Sequence, residues 1–105
     1  MKKNFIEILK KFSGQVLSEY PGADVRAFGS YPKGTATPDS DLDVCVILGK
    51  VTPEDRLHIS DIAWEVGLDY DILISTIVIS EDEYNRGPMS VSPLIETVRS
   101  EGITV

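Results

Sequence analysis

The sequence predicts an α/β (α+β) fold, a small mixed β-sheet flanked by helices, and three observations carry that prediction. Apolar residues recur at helical spacing in two separate stretches, first Phe5, Ile8, Leu9, Phe12 and Val16, then Ile59, Ile62, Ala63 and Val66. Short runs rich in branched residues alternate with these stretches and are bounded by Gly and Pro. The chain has 105 residues, enough for one core, so a single domain over residues 1–105 is expected.

The first helix is expected to end before Tyr20-Pro21-Gly22. A strand then covers Val25 to Phe28, followed by a Gly/Pro-rich turn with one helical turn, and by a second strand that opens at Asp41 and runs through Leu48. Thr52-Pro53-Glu54-Asp55 reads as an N-cap, a proline at the first helical position and acidic residues in the first turn of a second helix. Gly67 is the expected stop of that helix, and Trp64, about 100° from Ala63 around it, is expected to be partly buried at the edge of the apolar face. A third strand over residues 70–79 is almost continuously apolar, the pattern of a strand covered on both faces. Residues 81–88 are charged and end in Gly-Pro, which reads as a mobile, solvated connection. Ser92-Pro93 starts a last helix that carries Leu94, Ile95 and Val98 and ends at Gly102.

The chemistry concentrates between the first two strands. Gly29-Ser30 follows the first strand, ten residues intervene, and Asp41-Leu42-Asp43 opens the second. A glycine there lets backbone approach a ligand closely, and the amides and hydroxyl of Ser30 can donate to phosphate oxygens at the start of a helical turn, which makes the pair a candidate triphosphate cradle. Asp41 and Asp43 are two apart, so on a strand both carboxylates share one face with roughly 6.5–7 Å between their α-carbons. Two such oxygen donors suit Mg²⁺, and a two-metal site suits phosphoryl or nucleotidyl transfer.

Composition narrows the rest. Ten Lys/Arg against seventeen Asp/Glu give a net charge of −7, which argues against nucleic acid as a direct ligand. Lys2, Lys3, Lys10 and Lys11 read as a solvated helix face, and His58, between Arg56 and Asp61, as a surface residue without chemistry. Cys45 lies mid-strand with no second cysteine to pair with, the setting of a buried structural thiol. No apolar run is long enough to cross a membrane and the lysine-rich start lacks a signal-peptide core, so a reducing cytoplasm is the expected location.

The Gly29-Ser30 pair, its spacing and Asp41-x-Asp43 resemble the signature of the DNA polymerase β-type nucleotidyltransferase superfamily, in particular its smallest branch, the minimal nucleotidyltransferases. The likeness covers most of the chain, including the closing segment from Pro93 to Ile103. It implies the polymerase β-type fold, ATP as donor, two Mg²⁺ ions and a third carboxylate on a later strand. Asp71, followed directly by a longer apolar run, fits that third place better than Asp69, which would share its face. The resemblance implies Asp41, Asp43 and Asp71 as catalytic metal ligands, and Gly29 and Ser30 as holders of the β and γ phosphates. Many relatives carry arginine after the Gly-Ser pair; here Tyr31 stands in that place and Lys33 keeps a positive charge nearby. Members of this branch commonly serve as antitoxins paired with HEPN-domain ribonuclease toxins, which implies a protein acceptor, a tyrosine hydroxyl of such a toxin, silenced by adenylylation. The rival expectations are an antitoxin that neutralises by binding alone and a transferase acting on a small molecule.

Overall fold

Helix α1 (Phe5–Glu19) starts where the Asn4 side chain accepts from the amides of Ile6 and Glu7 (3.1 and 3.3 Å), two of the donors that a helix start leaves without an intrahelical partner. The structure, a computed structural model, describes residues 4–105. Lys2 and Lys3 of the basic cluster therefore lie outside the described residues, whereas Lys10 and Lys11 are exposed on α1. From α1 the chain forms β1 (Asp24–Phe28), the single turn α2 (Ser30–Lys33) and β2 (Leu42–Leu48). It crosses through α3 (Pro53–Tyr70) to β3 (Ile74–Ser80) and closes with α4 (Glu81–Asn85), a 3₁₀ turn (Pro88–Val91) and α5 (Pro93–Glu101).

The sheet has the order β1-β2-β3, with β1 antiparallel and β3 parallel to β2. It is the mixed sheet flanked by helices that the sequence predicts. A parallel neighbour needs a long crossover, and α3 supplies it. Because side chains alternate along a strand, β2 builds two cores. Leu42, Val44 and Val46 join Val25, Ala27, Ile74 and Val78 under α1 and α3, while Cys45 and Ile47 join Phe28, Ile79, Tyr84, Ile95 and Val98 under α4 and α5. Asp43, two before Cys45, belongs to the second face. Cys45 is the buried thiol the sequence suggests, and burial, ahead of the charge of Asp24, pushes it up to about 11.

Four expectations are corrected. Gly67 does not stop α3, which continues to Tyr70; it is glycine because a β-carbon there would stand 2.5 Å from the carbonyl oxygen of Ile72. The third strand begins at Ile74, not at 70; from there it is covered on both faces, Ile74 and Val78 by the first core and Ile77 and Ile79 by the second, although it is an edge strand and Ser75 is exposed. Residues 81–88 are not a loop throughout: Ser80 and Glu83 form a capping box that starts α4, and Tyr84 on it is buried. Trp64 is exposed, because the buried stripe of Ile59, Ile62, Ala63 and Val66 is centred roughly 150° away around the helix. The Thr52 cap is as expected, with Asp55 completing the reciprocal hydrogen bonds of a capping box (3.1 and 2.9 Å). His58 is a surface residue paired with Glu19 (2.7 Å). Among the described residues no helix is long and apolar enough to cross a membrane.

Candidate active site

Where β1 ends, the chain turns sharply at Gly29, whose φ of +83° is a conformation L side chains rarely adopt. The antiparallel register sets Phe28 opposite Asp43, and the turn then brings Gly29 against that carboxylate. A β-carbon at Gly29 would stand 2.7 Å from Asp43 Oδ2. The backbone of the Gly29-Ser30 turn and one carboxylate of the Asp41/Asp43 pair thus occupy the same spot.

The connection from α2 to β2 is pinned rather than loose. Gly34, with φ +78°, ends α2 by donating its amide to the carbonyls of Ser30 and Tyr31. Thr35 donates its amide to Ser30 (3.0 Å), and Thr37 and Ser40 close a tight turn in which the Thr37 amide donates to Ser40 Oγ (2.8 Å). Tyr31, where the resemblance leads one to expect arginine, packs its ring near Phe5 (5.9 Å between centroids) and donates its hydroxyl to the Ser40 carbonyl (3.2 Å). Tyr31 is therefore a fastener for the loop that delivers Asp41. Lys33, the other positive group of the motif, forms an exposed ion pair with Glu101 (3.7 Å).

Asp41 is exposed just before β2, and Asp43 is half-buried within it. Burial, and then the negative charge of Asp41, raise the Asp43 carboxyl above the ordinary aspartate range. The two carboxylates repel each other, and a cation between them would remove the conflict. Hard oxygen donors of this kind fit Mg²⁺, which keeps much of its water and needs few protein ligands.

The structure does not bring the expected third carboxylate onto β3. Asp69 lies on α3, and Asp71 is the left-handed residue (φ 53°, ψ 50°) that ends that helix. The amides of Ile72 and Asp71 donate to the carbonyls of Gly67 and Leu68 (3.0 and 3.5 Å), a Schellman arrangement that turns the chain before β3 begins. Among the described residues no group of three His, Cys, Asp or Glu side chains is placed to hold a metal ion. The residue of β3 in register with Asp43, and hence on its face, is Ser75. The sequence reading missed Ser75, because register across a crossover has no local signal; only the end of α3 and the pairing fix it.

The nucleotidyltransferase domain family matches residues 9–99. Two putative protein adenylyltransferases of Methanocaldococcus jannaschii are similar to the chain. One is 34% identical over 80 residues, covering 74% of this chain and 76% of the relative; the other is 36% identical over 76 residues, covering 70% and 77%. In three dimensions the chain resembles a putative nucleotidyltransferase from Sulfolobus solfataricus (TM-score 0.54, 24% identity, 77% of this chain and 71% of that one). It also resembles a chain in a crystal structure of a toxin-antitoxin with AMP-PNP (TM-score 0.60, 19% identity, 90% and 69%). At those identities the two structures speak to the fold alone.

Proposed function

The chain belongs to the nucleotidyltransferase domain family, and from that premise we propose that it is an Mg²⁺-dependent protein adenylyltransferase that moves AMP from ATP to a protein hydroxyl. The acceptor we favour is a tyrosine of a HEPN ribonuclease toxin, so that the chain acts as the antitoxin. The names of the two archaeal relatives and the toxin-antitoxin neighbour support this reading. One observation carries it above the others: Gly29 leaves no room for a β-carbon beside Asp43, so phosphates held by the turn lie against the carboxylate pair.

In this proposal the amides at Gly29 and Ser30 hold the β and γ phosphates, and Asp41 and Asp43 hold Mg²⁺. A metal held by these two carboxylates would supply charge neutralisation for the triphosphate and the leaving pyrophosphate. The turn and the strand fix the α-phosphorus for in-line attack, which is a positioning effect. The acceptor oxygen bonds to the α-phosphorus, the bond to the β-phosphate oxygen breaks, pyrophosphate leaves, and the acceptor proton is lost to solvent. Asp71, held at the end of α3, is left out of this centre.

The test is incubation with Mg²⁺, ATP labelled at the α-phosphate and the product of the neighbouring reading frame. Label on that protein, absent with γ-labelled ATP, is the expected result; unlabelled protein in a tight complex sinks the proposal. A second reading, neutralisation by binding alone, is favoured by the absence of a three-carboxylate cluster among the described residues. Under that reading an Asp41→Asn/Asp43→Asn double variant still protects against the toxin, whereas under ours protection is lost.

A further inference from the structure

Trp64 is the single tryptophan of the chain and is 62% exposed. Leu68 (64%) stands one turn after it on α3 and Leu57 (68%) two turns before it, and Leu73 (54%) stands just ahead of β3. At about 100° per residue, Leu57, Trp64 and Leu68 fall within an arc of roughly 40°, so they form one stripe. Full burial of an apolar side chain is worth about 1.5–3 kcal/mol, of which these forgo a part, and the grouping of Trp64, Leu68 and Leu73 around one groove marks an interaction site more than a lone exposed leucine does. Between α3 and the start of β3 the patch opens into a groove of ≈ 230 Å³, bordered by Trp64, Gly67, Leu68, Leu73 and Ile74.

The groove lies on the α3 side of the sheet, opposite the face of Asp43, but at the same end of the sheet as Asp41 and Asp43 and at its β3 edge. Leu73, on its wall, accepts through its carbonyl the amide of Leu42 (2.9 Å), the residue between Asp41 and Asp43. Its flank is acidic: Glu54, Asp61, Glu65 and Asp69 follow the apolar stripe around α3, all exposed. Arg56, a cation on the same helix, donates to the Val78 carbonyl (2.5 Å) instead of offsetting that flank. A second copy of the chain meeting this face isologously would set acid against acid. A basic surface carrying an apolar side chain complements both charge and shape.

We infer that this groove docks the protein acceptor, a basic surface that seats an apolar or aromatic side chain against Trp64 and Leu73 while a neighbouring segment passes round the β3 edge and presents its hydroxyl to Asp41 and Asp43. The inference rests on the transferase reading and adds the place where the acceptor is held. Trp64 is its own reporter. Mixed with the product of the neighbouring reading frame, without nucleotide, its emission shifts to the blue and iodide quenching falls. Trp64→Ala and Leu68→Ala, both at exposed positions, raise the acceptor KM by about tenfold or more, with kcat and ATP affinity unchanged and the circular dichroism of the parent. Asp61→Lys/Glu65→Lys raises KM likewise at low salt.

Label transferred at the parental KM by Trp64→Ala, with Trp64 emission in the parent unmoved, overturns the groove and leaves the transferase reading standing. A protected Trp64 in a complex that never becomes labelled keeps the groove as a binding surface and overturns transfer. Neither protection nor label overturns both. Emission that shifts with this protein's own concentration, with a dimer in sedimentation, overturns the basic partner in favour of a second copy.

Discussion

Gly29 answers to two demands at once, a positive φ and the nearness of Asp43, and substitution separates them from a demand made elsewhere in the same turn. Gly34 also has positive φ, but nothing lies within 4 Å of where its β-carbon would be. Gly34→Ala is therefore expected to cost only the backbone term, about 1–2 kcal/mol, with transfer near parental rates at a temperature where the variant is folded. Gly29→Ala bears that term and also displaces the Asp43 carboxylate, so transfer falls by roughly a hundredfold or more, the scale of losing one transition-state stabiliser. Equal rates in the two variants, measured with labelled ATP, would remove Gly29 from the site. Asp43 gives the second expectation at this scale. Its carboxyl stands above the ordinary aspartate range because of burial and Asp41. The folded state thus favours the protonated form, and the ionised carboxylate weakens the metal-free fold at neutral pH; the penalty fades as pH falls through the raised folded value and is gone below the unfolded one. Asp43→Asn should melt higher than the parent at neutral pH without metal, lose that advantage in acid, and abolish transfer. Mg²⁺ should raise the melting point of the parent and not of the variant. A variant that melts below the parent at neutral pH contradicts this account.

At the scale of elements, the junction between α3 and β3 decides which acidic residue can reach the site. Asp71 holds a left-handed backbone that Asn also tolerates and a β-branched residue does not. Asp71→Asn is expected to keep the helix end and transfer, whereas Asp71→Val loses about 1–2 kcal/mol in urea unfolding from the backbone alone. Transfer as impaired in Asp71→Asn as in Asp41→Asn would return Asp71 to the metal centre. This junction also marks how far the sequence can be read. Gly29, Ser30, Asp41 and Asp43 were legible because the two strands that carry them are joined by one short connection, so their meeting is local. The partner of Asp43 on β3 was not legible, since it depends on where α3 ends, and the apolar run from Ile72 onward continues past that point without a period change. Gly67 misled because glycine serves both to end helices and to admit a neighbouring backbone, here Ile72. In residues 81–88 the Ser80-x-x-Glu83 capping signature is present, but the charge density of the segment points equally to a solvated loop, and only the burial of Tyr84 decides for the helix.

For the whole molecule, the face of the sheet that carries Asp43 is held by the smaller of two cores, and one side chain ties its pieces together. Arg99 on α5 donates to the carbonyls of Tyr84 (2.8 Å) and Ser90 (3.3 Å) and lies 4.9 Å from the centre of the Tyr84 ring. From the other side Arg26 on β1, itself held by Asp24 (2.8 Å), approaches the same ring and donates to its hydroxyl (5.6 and 3.2 Å). α4, the 3₁₀ turn, α5 and β1 therefore meet around one aromatic ring, while α1 and α3 are packed on the opposite face through Ile8, Phe12, Ile59 and Val66. The Lys33–Glu101 pair, half-exposed at 3.7 Å, adds little beside this. Removing Arg99 leaves two carbonyls without their donor and the Tyr84 ring with Arg26 alone, at a cost of about 1.5–3 kcal/mol for charged hydrogen bonds. The melting point of Arg99→Ala should then fall by roughly 4–8 °C per kcal/mol, as for a domain of this size. The loss should also be uneven. Amide exchange should quicken in α4, the 3₁₀ turn and α5 well before it does in α1 and α3, because the first core keeps all its contacts. Uniform acceleration through both layers would mean that the two cores open together, and that the face bearing Asp43 has no stability of its own to lose.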